Sequence, residues 1–180
     1  MKAVVFEEFG SPRKVLKLEE RPLPEPGPGQ VRVKLVLSPI HNHDLMIVTG
    51  HYGYKPPLPH VPGTEALGVV DKLGEGVTNL KLGQRVTGGA SGAWAEYYLA
   101  GAQSLVPLPD GIDDATACQL VSMPLSAWRL LGELQVEAGE WIVQNAANGA
   151  VGKIIAKLAA ERGVRVLNIV RREAAGAELL

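Results

Sequence analysis

The chain has 180 residues, 46% of them hydrophobic and 21% charged, with a formal net charge of −1. That balance excludes the clustered positive field that nucleic acid or an anionic membrane surface would want, and no apolar run approaches transmembrane length. A single cysteine, Cys118, excludes an internal disulfide and any cysteine-rich metal site.

The N-terminus, MKAVVFEEFG, reaches Glu7 and Glu8 too early for a signal peptide, so a cytoplasmic setting is the expectation. Up to about residue 110 the sequence reads as a β domain, with short apolar strands broken by Gly and Pro. Strands are predicted at Lys2 to Phe6 and Val15 to Glu19. RPLPEPGPG, Arg21 to Gly29, then forms a stiff proline connector. In QVRVKLVL, Val31, Val33, Leu35 and Leu37 alternate with Arg32 and Lys34, predicting one buried and one wet face. His41 and His43 flank Asn42 in an expected turn, with Asp44 capping a short helix after it. Further strands are predicted at Ala66 to Leu73, Gln84 to Thr87, Ala93 to Leu99 and Ser104 to Pro107. From Asp113 the period becomes helical, and Cys118 in DDATACQLVSM reads as a buried structural thiol. Ser122 to Leu134 is a second predicted helix. A boundary near Met123 divides the chain into residues 1–123 and 124–180.

Trp141 to Arg172, WIVQNAANGAVGKIIAKLAAERGVRVLNIVRR, is strand, glycine turn, amphipathic helix and strand in succession: one dinucleotide-binding βαβ unit. Val151, Ile154, Ile155, Leu158 and Ala159 share a helical face, and Gly163 stands where a C-terminal glycine belongs. AANGAVG is a variant of the G-x-G-x-x-G fingerprint with Ala147 in place of the first glycine. Asn148, Gly149, Ala150, Val151 and Gly152 are the candidate pyrophosphate cradle, with Gly149 allowing close backbone approach and Gly152 close helix packing. An NAD site usually carries a carboxylate about 20 residues past the glycines. Here the second strand runs into Arg171 and Arg172, whose guanidiniums suit a 2′-phosphate, so NADPH is the expected cofactor. The plainer alternative makes both arginines a solvated helix start. Only two strands precede Leu180, and two parallel strands cannot cover both faces of a doubly wound sheet, so the unit reads as truncated or completed by a partner.

MKAVVFEEFG, VPGTEALGVV (Val61 to Val70), LGEGVTNLKLGQRV (Leu73 to Val86) and GAWAEYYL (Gly92 to Leu99), followed by the variant fingerprint, resemble the medium-chain dehydrogenase/reductase superfamily over all 180 residues. The resemblance implies an N-terminal GroES-like β-barrel followed by the first part of a Rossmann doubly wound sheet. It also implies dimerisation of a full-length protein. The zinc alcohol dehydrogenases of that superfamily are a poor match: His41 holds the first ligand position, Thr64 replaces the histidine of their GHE motif, and Val86 to Gly92 leaves no room for a cysteine lobe. No metal is expected. TGHYGYKPPLP, Thr49 to Pro59, is similar to the GNYG…LP segment of the zinc-free 2-enoyl thioester reductases. That match puts Tyr52 on their catalytic tyrosine, and Ser126, in PLSAW, falls on a family hydroxyl position near the nicotinamide. QNAANGAVG and LNIVRR also resemble that branch. Two positions depart from it: His41 and Met123 each stand where an Asn is usual.

Reducing a conjugated double bond needs a hydride at the β-carbon, a stabiliser for the developing enolate and a proton for the α-carbon. Tyr52 is the candidate for the last two tasks, Tyr54 a weaker one, and His41 could bond the substrate or tune Tyr52, with His43 behind it. The alternatives are loop tyrosines in water, histidines serving local backbone, and a Ser126 bonded to its own turn. Asp44 and Glu65 read as structural. An NADPH-dependent reductase of an activated C=C bond, its small-molecule substrate a 2-enoyl thioester, is the first expectation. An NADPH quinone or alkenal reductase of the same fold is the second. A non-catalytic half-protein, its cofactor half incomplete, is the third.

Overall fold

The computed structural model describes residues 1–177, and the chain divides into two compact units, Met1–Val121 and Ser122–Leu180. In the first, β1 (Lys2–Val5) pairs antiparallel with β2 (Lys17–Glu20). The second strand starts two residues later than the sequence suggests. Pro12 occupies the first position of a short helix, α1 (Pro12–Val15), and the Ser11 carbonyl accepts from the amides of Lys14 and Val15, drawing Val15 out of the strand.

Then follow β3 (Gln30–Leu37), α2 (Asn42–Thr49), β4 (Glu65–Leu73), β5 (Arg85–Gly89), β6 (Tyr97–Gly101), β7 (Leu105–Pro107) and the short α3 (Asp114–Ala117). The five strands form one antiparallel sheet in the order β6-β3-β4-β5-β7. Its core is Val31, Val33, Ala66, Val70, Leu80, Val86, Tyr98 and Leu105. Each fully buried aliphatic side chain there contributes on the order of 1.5–3 kcal/mol. Gly68 lies where β4 and β3 approach most closely: a Cβ on it would come within 2.6 Å of the Lys34 carbonyl oxygen. Ahead of β6, Gly92 turns at φ 81°, and the segment expected to be a strand from Ala93 instead crosses to β1, where the Val4 amide donates to the Trp94 carbonyl.

Arg32 departs from the alternating pattern. The sequence puts it on a wet face, but it is buried. The proline connector covers that face: Arg32 Nη1 donates to the Pro24 carbonyl and to Glu25, and Nε to Asp71 Oδ2 at 2.6 Å. Burial opposes the guanidinium charge, and the Asp71 and Glu25 carboxylates more than offset it, leaving the pKa above its ordinary value.

The second unit contains α4 (Ser122–Glu133), β8 (Trp141–Gln144), α5 (Ala150–Glu161), β9 (Arg165–Asn168) and α6 (Glu173–Ala177). β8 and β9 are parallel, with Ile142 opposite Val166. The apolar face of α5 meets Ile142 and Val164, and Ala127 and Leu131 of α4 complete this small core. Gly163, at φ 71°, ends α5 as the sequence predicts. Ladder pairing of β9 stops at Asn168, two residues short of the expected Val170, although the Ile169 amide still donates to the Gln144 carbonyl. Trp141, Val143, Leu167 and Ile169 are exposed, so one face of the two-stranded sheet is bare among the described residues.

Candidate functional site

The second unit carries the glycine turn expected to cradle a dinucleotide. β8 leads through Asn145 to Gly149 into α5. Ala146 takes a left-handed conformation at φ 50°, its carbonyl accepting from the Gly149 amide at 2.9 Å. Ala147 is fully buried, which is why a methyl group stands where the fingerprint's first glycine belongs. Gly152 packs directly on it: a Cβ there would lie 2.6 Å from the Ala147 oxygen and 2.8 Å from its Cα. Gly149 and Ala150 are exposed, Asn148 and Val151 partly so. As the first turn of α5, residues 150–152 have no carbonyl one turn back, so their N–H groups present partial positive charge to an anion. An open cleft of about 760 Å³ adjoins this turn, lined among others by Asn145, Gly149, Gly152, Leu130 and Ile155.

The sequence reading missed the residue that braces the cradle. Gln144 Nε2 donates to the Gly152 carbonyl at 3.0 Å and to Asn168 Oδ1 at 2.6 Å, tying strand, turn and second strand together. The available signal was an amide side chain ending each of the two strands, WIVQ and RVLN. Arg171 and Arg172 are exposed just beyond β9, and among the described residues neither guanidinium has a hydrogen-bond or ion-pair partner. Both also directly precede α6, with Glu173 in its first turn. The exposed Ser126 donates its Oγ to the Ser122 carbonyl at 2.7 Å, one turn back in α4.

The first unit carries a polar cluster around α2. This helix starts earlier than expected: His41 is its N-cap, so residues 42 and 43 are helical, and Asp44 at the third position accepts the His41 amide on Oδ2 at 2.9 Å. Asp44 Oδ1 accepts from Thr64 Oγ1 at 2.8 Å, and His43 Nε2 lies 2.6 Å from that same hydroxyl. His41 Nε2 meets Glu65 Oε2 at 2.7 Å, while Glu65 Oε1 accepts the Val121 amide at 2.7 Å. Asp44 and Glu65 are both completely buried. Each accepts at least two hydrogen bonds, which offset the loss of water; removing one partner of such a buried charge costs about 3–5 kcal/mol.

The two imidazoles stack at 4.9 Å between centroids, and the His43 ring, not that of His41, contacts Tyr52, at 5.8 Å. His41, read from the sequence as able to bond the substrate or tune Tyr52, is turned inward by its capping role and the Glu65 bond, and it is the His43 ring that lies beside the tyrosine. Tyr52 is 41% exposed, and Tyr54, at 56%, makes no ring contact among the described residues. Asp44 and Glu65 do have structural work, but with Thr64 they also set the histidine geometry beside the tyrosine. Cys118 ends α3, buried, with its thiol raised above the usual range by burial first and by the Glu65 charge second. A larger groove of about 900 Å³ in this unit is lined by groups such as Leu18, Leu35, Ile40 and Tyr97, and by neither histidine nor Tyr52. Among the described residues no three His, Cys, Asp or Glu side chains are grouped to hold a metal ion, and no helix is long and apolar enough to cross a membrane.

Residues 27–110 match the family described as the alcohol dehydrogenase GroES-like domain. The mitochondrial enoyl-[acyl-carrier-protein] reductase of Xenopus tropicalis is 34% identical over 173 residues, covering 94% of this chain and 49% of that protein. The human enzyme of the same name is 33% identical over 174 residues, covering 95% and 47%. Among solved structures, Escherichia coli quinone oxidoreductase complexed with NADPH superposes with a TM-score of 0.91 at 28% identity, covering 99% of this chain and 55% of that one. The Pseudomonas syringae pv. tomato quinone oxidoreductase gives 0.92 at 31% identity, with the same coverage. The chain spans about half the length of the relatives it matches. The first unit is a GroES-like domain and the second the opening part of a Rossmann sheet.

Proposed function

The chain belongs to the medium-chain dehydrogenase/reductase superfamily, in the group that holds the enoyl reductases and quinone oxidoreductases, and from that premise we propose an NADPH-dependent reductase of an activated C=C bond, its substrate a 2-enoyl thioester. The observation that carries this reading is the cradle: a glycine turn braced by Gln144, first-turn amides facing an open cleft, and two unpaired arginines beyond the second strand. Residues 148–152 would hold the pyrophosphate and Arg171 with Arg172 the 2′-phosphate. The donor set fits a dianionic phosphate, since guanidiniums stand where a carboxylate would repel it. When bound, NADPH supplies a hydride.

The remaining chemistry belongs to the chain. The Tyr52 hydroxyl donates to the carbonyl oxygen on which enolate charge develops and delivers the proton that the α-carbon takes up. Ser126 has a lesser part: its hydroxyl is engaged with Ser122, and only its lone pairs face outward. The thioester is preferred over a quinone because the loop from Thr49 to Pro59 resembles the enoyl reductase segment and the enoyl reductases align over 94–95% of the chain. The quinone reading is favoured by structural likeness at 28–31% identity over 99% of the chain. A zinc-independent mechanism, a homodimer and a cytoplasmic setting belong to the same reading. The enoyl reductase relatives are named as mitochondrial.

Crotonyl-CoA and a naphthoquinone assayed side by side, with NADPH against NADH, test this. We expect crotonyl-CoA to be the better substrate, NADPH the better donor, and Tyr52→Phe to lose about 10²-fold or more in kcat. Full activity of Tyr52→Phe on every substrate would refute the tyrosine assignment. No turnover of either acceptor would refute the reductase.

A further inference from the structure

Resting on the reductase reading above, we propose that His43 is the positioning residue that holds the Tyr52 ring, its own tautomer fixed by a hydrogen-bonded series from Asp44 through Thr64 to His43. Asp44 is completely buried and, as a carboxylate, can only accept. Thr64 has one hydroxyl hydrogen, and it goes to Asp44 Oδ1 at 2.8 Å. The Thr64 oxygen, 2.6 Å from His43 Nε2, is therefore left as an acceptor, and His43 Nε2 must carry a hydrogen. The tautomer of His43 is thus dictated two hydrogen bonds away, by a carboxylate it does not touch in hydrogen-bonding range: the Nε2 to Asp44 Oδ1 separation is 3.7 Å. This leaves Nδ1 as the nitrogen that gains and loses a proton.

The ring that bears Nδ1 lies between two others, stacked on His41 at 4.9 Å and tilted against Tyr52 at 5.8 Å. Its side chain is 22% exposed, so water reaches it. His41 does not take this part, because its ring stacks on His43 and, among the described residues, makes no contact with Tyr52. The titratable and charged groups around His43 are Asp44 on its own helix, His41 at that helix's N-cap, Glu65 on β4 bonded to His41, and Tyr52 in the loop after α2.

The test is NMR on the chain labelled with ¹⁵N-histidine and ¹³Cζ-tyrosine, each resonance assigned by its loss in His43→Gln or Tyr52→Phe. The neutral His43 is expected to show the Nε2–H tautomer, and the Tyr52 ¹³Cζ signal to show an inflection at the pH where His43 titrates. His43→Gln, whose amide can still donate to Thr64, should abolish the inflection. Thr64→Val should mix the tautomers, and Thr64→Ser should restore the single one. An Nδ1–H tautomer, or a Tyr52 signal that does not respond to His43, overturns the inference whatever the enzyme activity. Coupling present in a protein that reduces no activated alkene supports the histidine–tyrosine pair and sinks the reductase reading instead.

Discussion

Gly152→Ala is the sharpest test of how the cradle is built. The added Cβ would sit 2.6, 2.8 and 2.9 Å from the oxygen, Cα and carbonyl carbon of Ala147. Ordinary carbon contacts begin near 3.5 Å, so helix and turn must separate by roughly 1 Å. Neither side yields easily, since all three atoms are backbone of a fully buried residue and Gly152 itself is held through its carbonyl by Gln144. Overpacking of this kind costs about 1–3 kcal/mol, and the better helix propensity of Ala returns up to about 1 kcal/mol. We expect a net loss of about 1–2 kcal/mol, confined to the unit that begins at Ser122. Gly132→Ala is the matched control, because it lies inside α4 and a Cβ there meets nothing within 4 Å; it should gain about 0.5–1 kcal/mol. Hydrogen exchange followed by mass spectrometry reads this unit separately from the first. The amides of β8 and α5 should exchange about 5–30-fold faster in Gly152→Ala and a few-fold slower in Gly132→Ala. Equal protection in Gly152→Ala and the parent would refute the claim that the turn has no room for a methyl group.

Arg171→Ala should reduce the preference for NADPH over NADH by about tenfold, the value of one charge-assisted phosphate contact; an unchanged kcat/KM ratio would assign the phosphate to other groups. Thr87→Val should destabilise the first unit by about 1–3 kcal/mol in urea melts, because the buried hydroxyl serves the Ala117 carbonyl at 2.6 Å and that oxygen would lose its partner. Asp113 caps α3, accepting the Thr116 amide and hydroxyl, and these bonds hold its carboxyl below the ordinary range. Its stabilisation is present above the ordinary Asp value of about 4 and is lost as pH falls through the lowered native value. Asp113→Ala should therefore be less stable than the parent at neutral pH and converge with it in acid; a constant difference down to pH 2 would refute the capping role.

What the sequence made legible was whatever rests on period and local chemistry. The βαβ unit was readable because Val151, Ile154, Ile155, Leu158 and Ala159 repeat at helical spacing between two apolar runs, and because Gly149, Gly152 and Gly163 each meet a local backbone demand. Buried polar relations were not readable. Arg32 looked wet because strand alternation says nothing about a connector folded over that face. Val15 left its strand because Ser11 and Pro12 started a helical turn that apolar content did not reveal. His41 was ranked ahead of His43, because what distinguishes them lies in Thr64 and Glu65, more than 20 positions away, and no local pattern states which ring a distant carboxylate will claim. Asp44 was expected to cap a helix, but its second oxygen and Thr64 had no sequence signature. Gln144 was quoted as part of a resemblance, and the partners that explain it stand eight and 24 positions away.

The forked contact of Gln144 has a mechanical corollary. One side-chain amide fastens a first-turn carbonyl of a helix to the close of the neighbouring strand, so on the proposed reading the residues that would hold the diphosphate and those that would hold the 2′-phosphate share a single fixing point. Neither can drift without dragging its counterpart. Exchanging this glutamine for a shorter or singly bonding residue would therefore blur the spacing at which a dinucleotide is gauged, and shorter adenylates that need one station alone would lose less than the intact coenzyme.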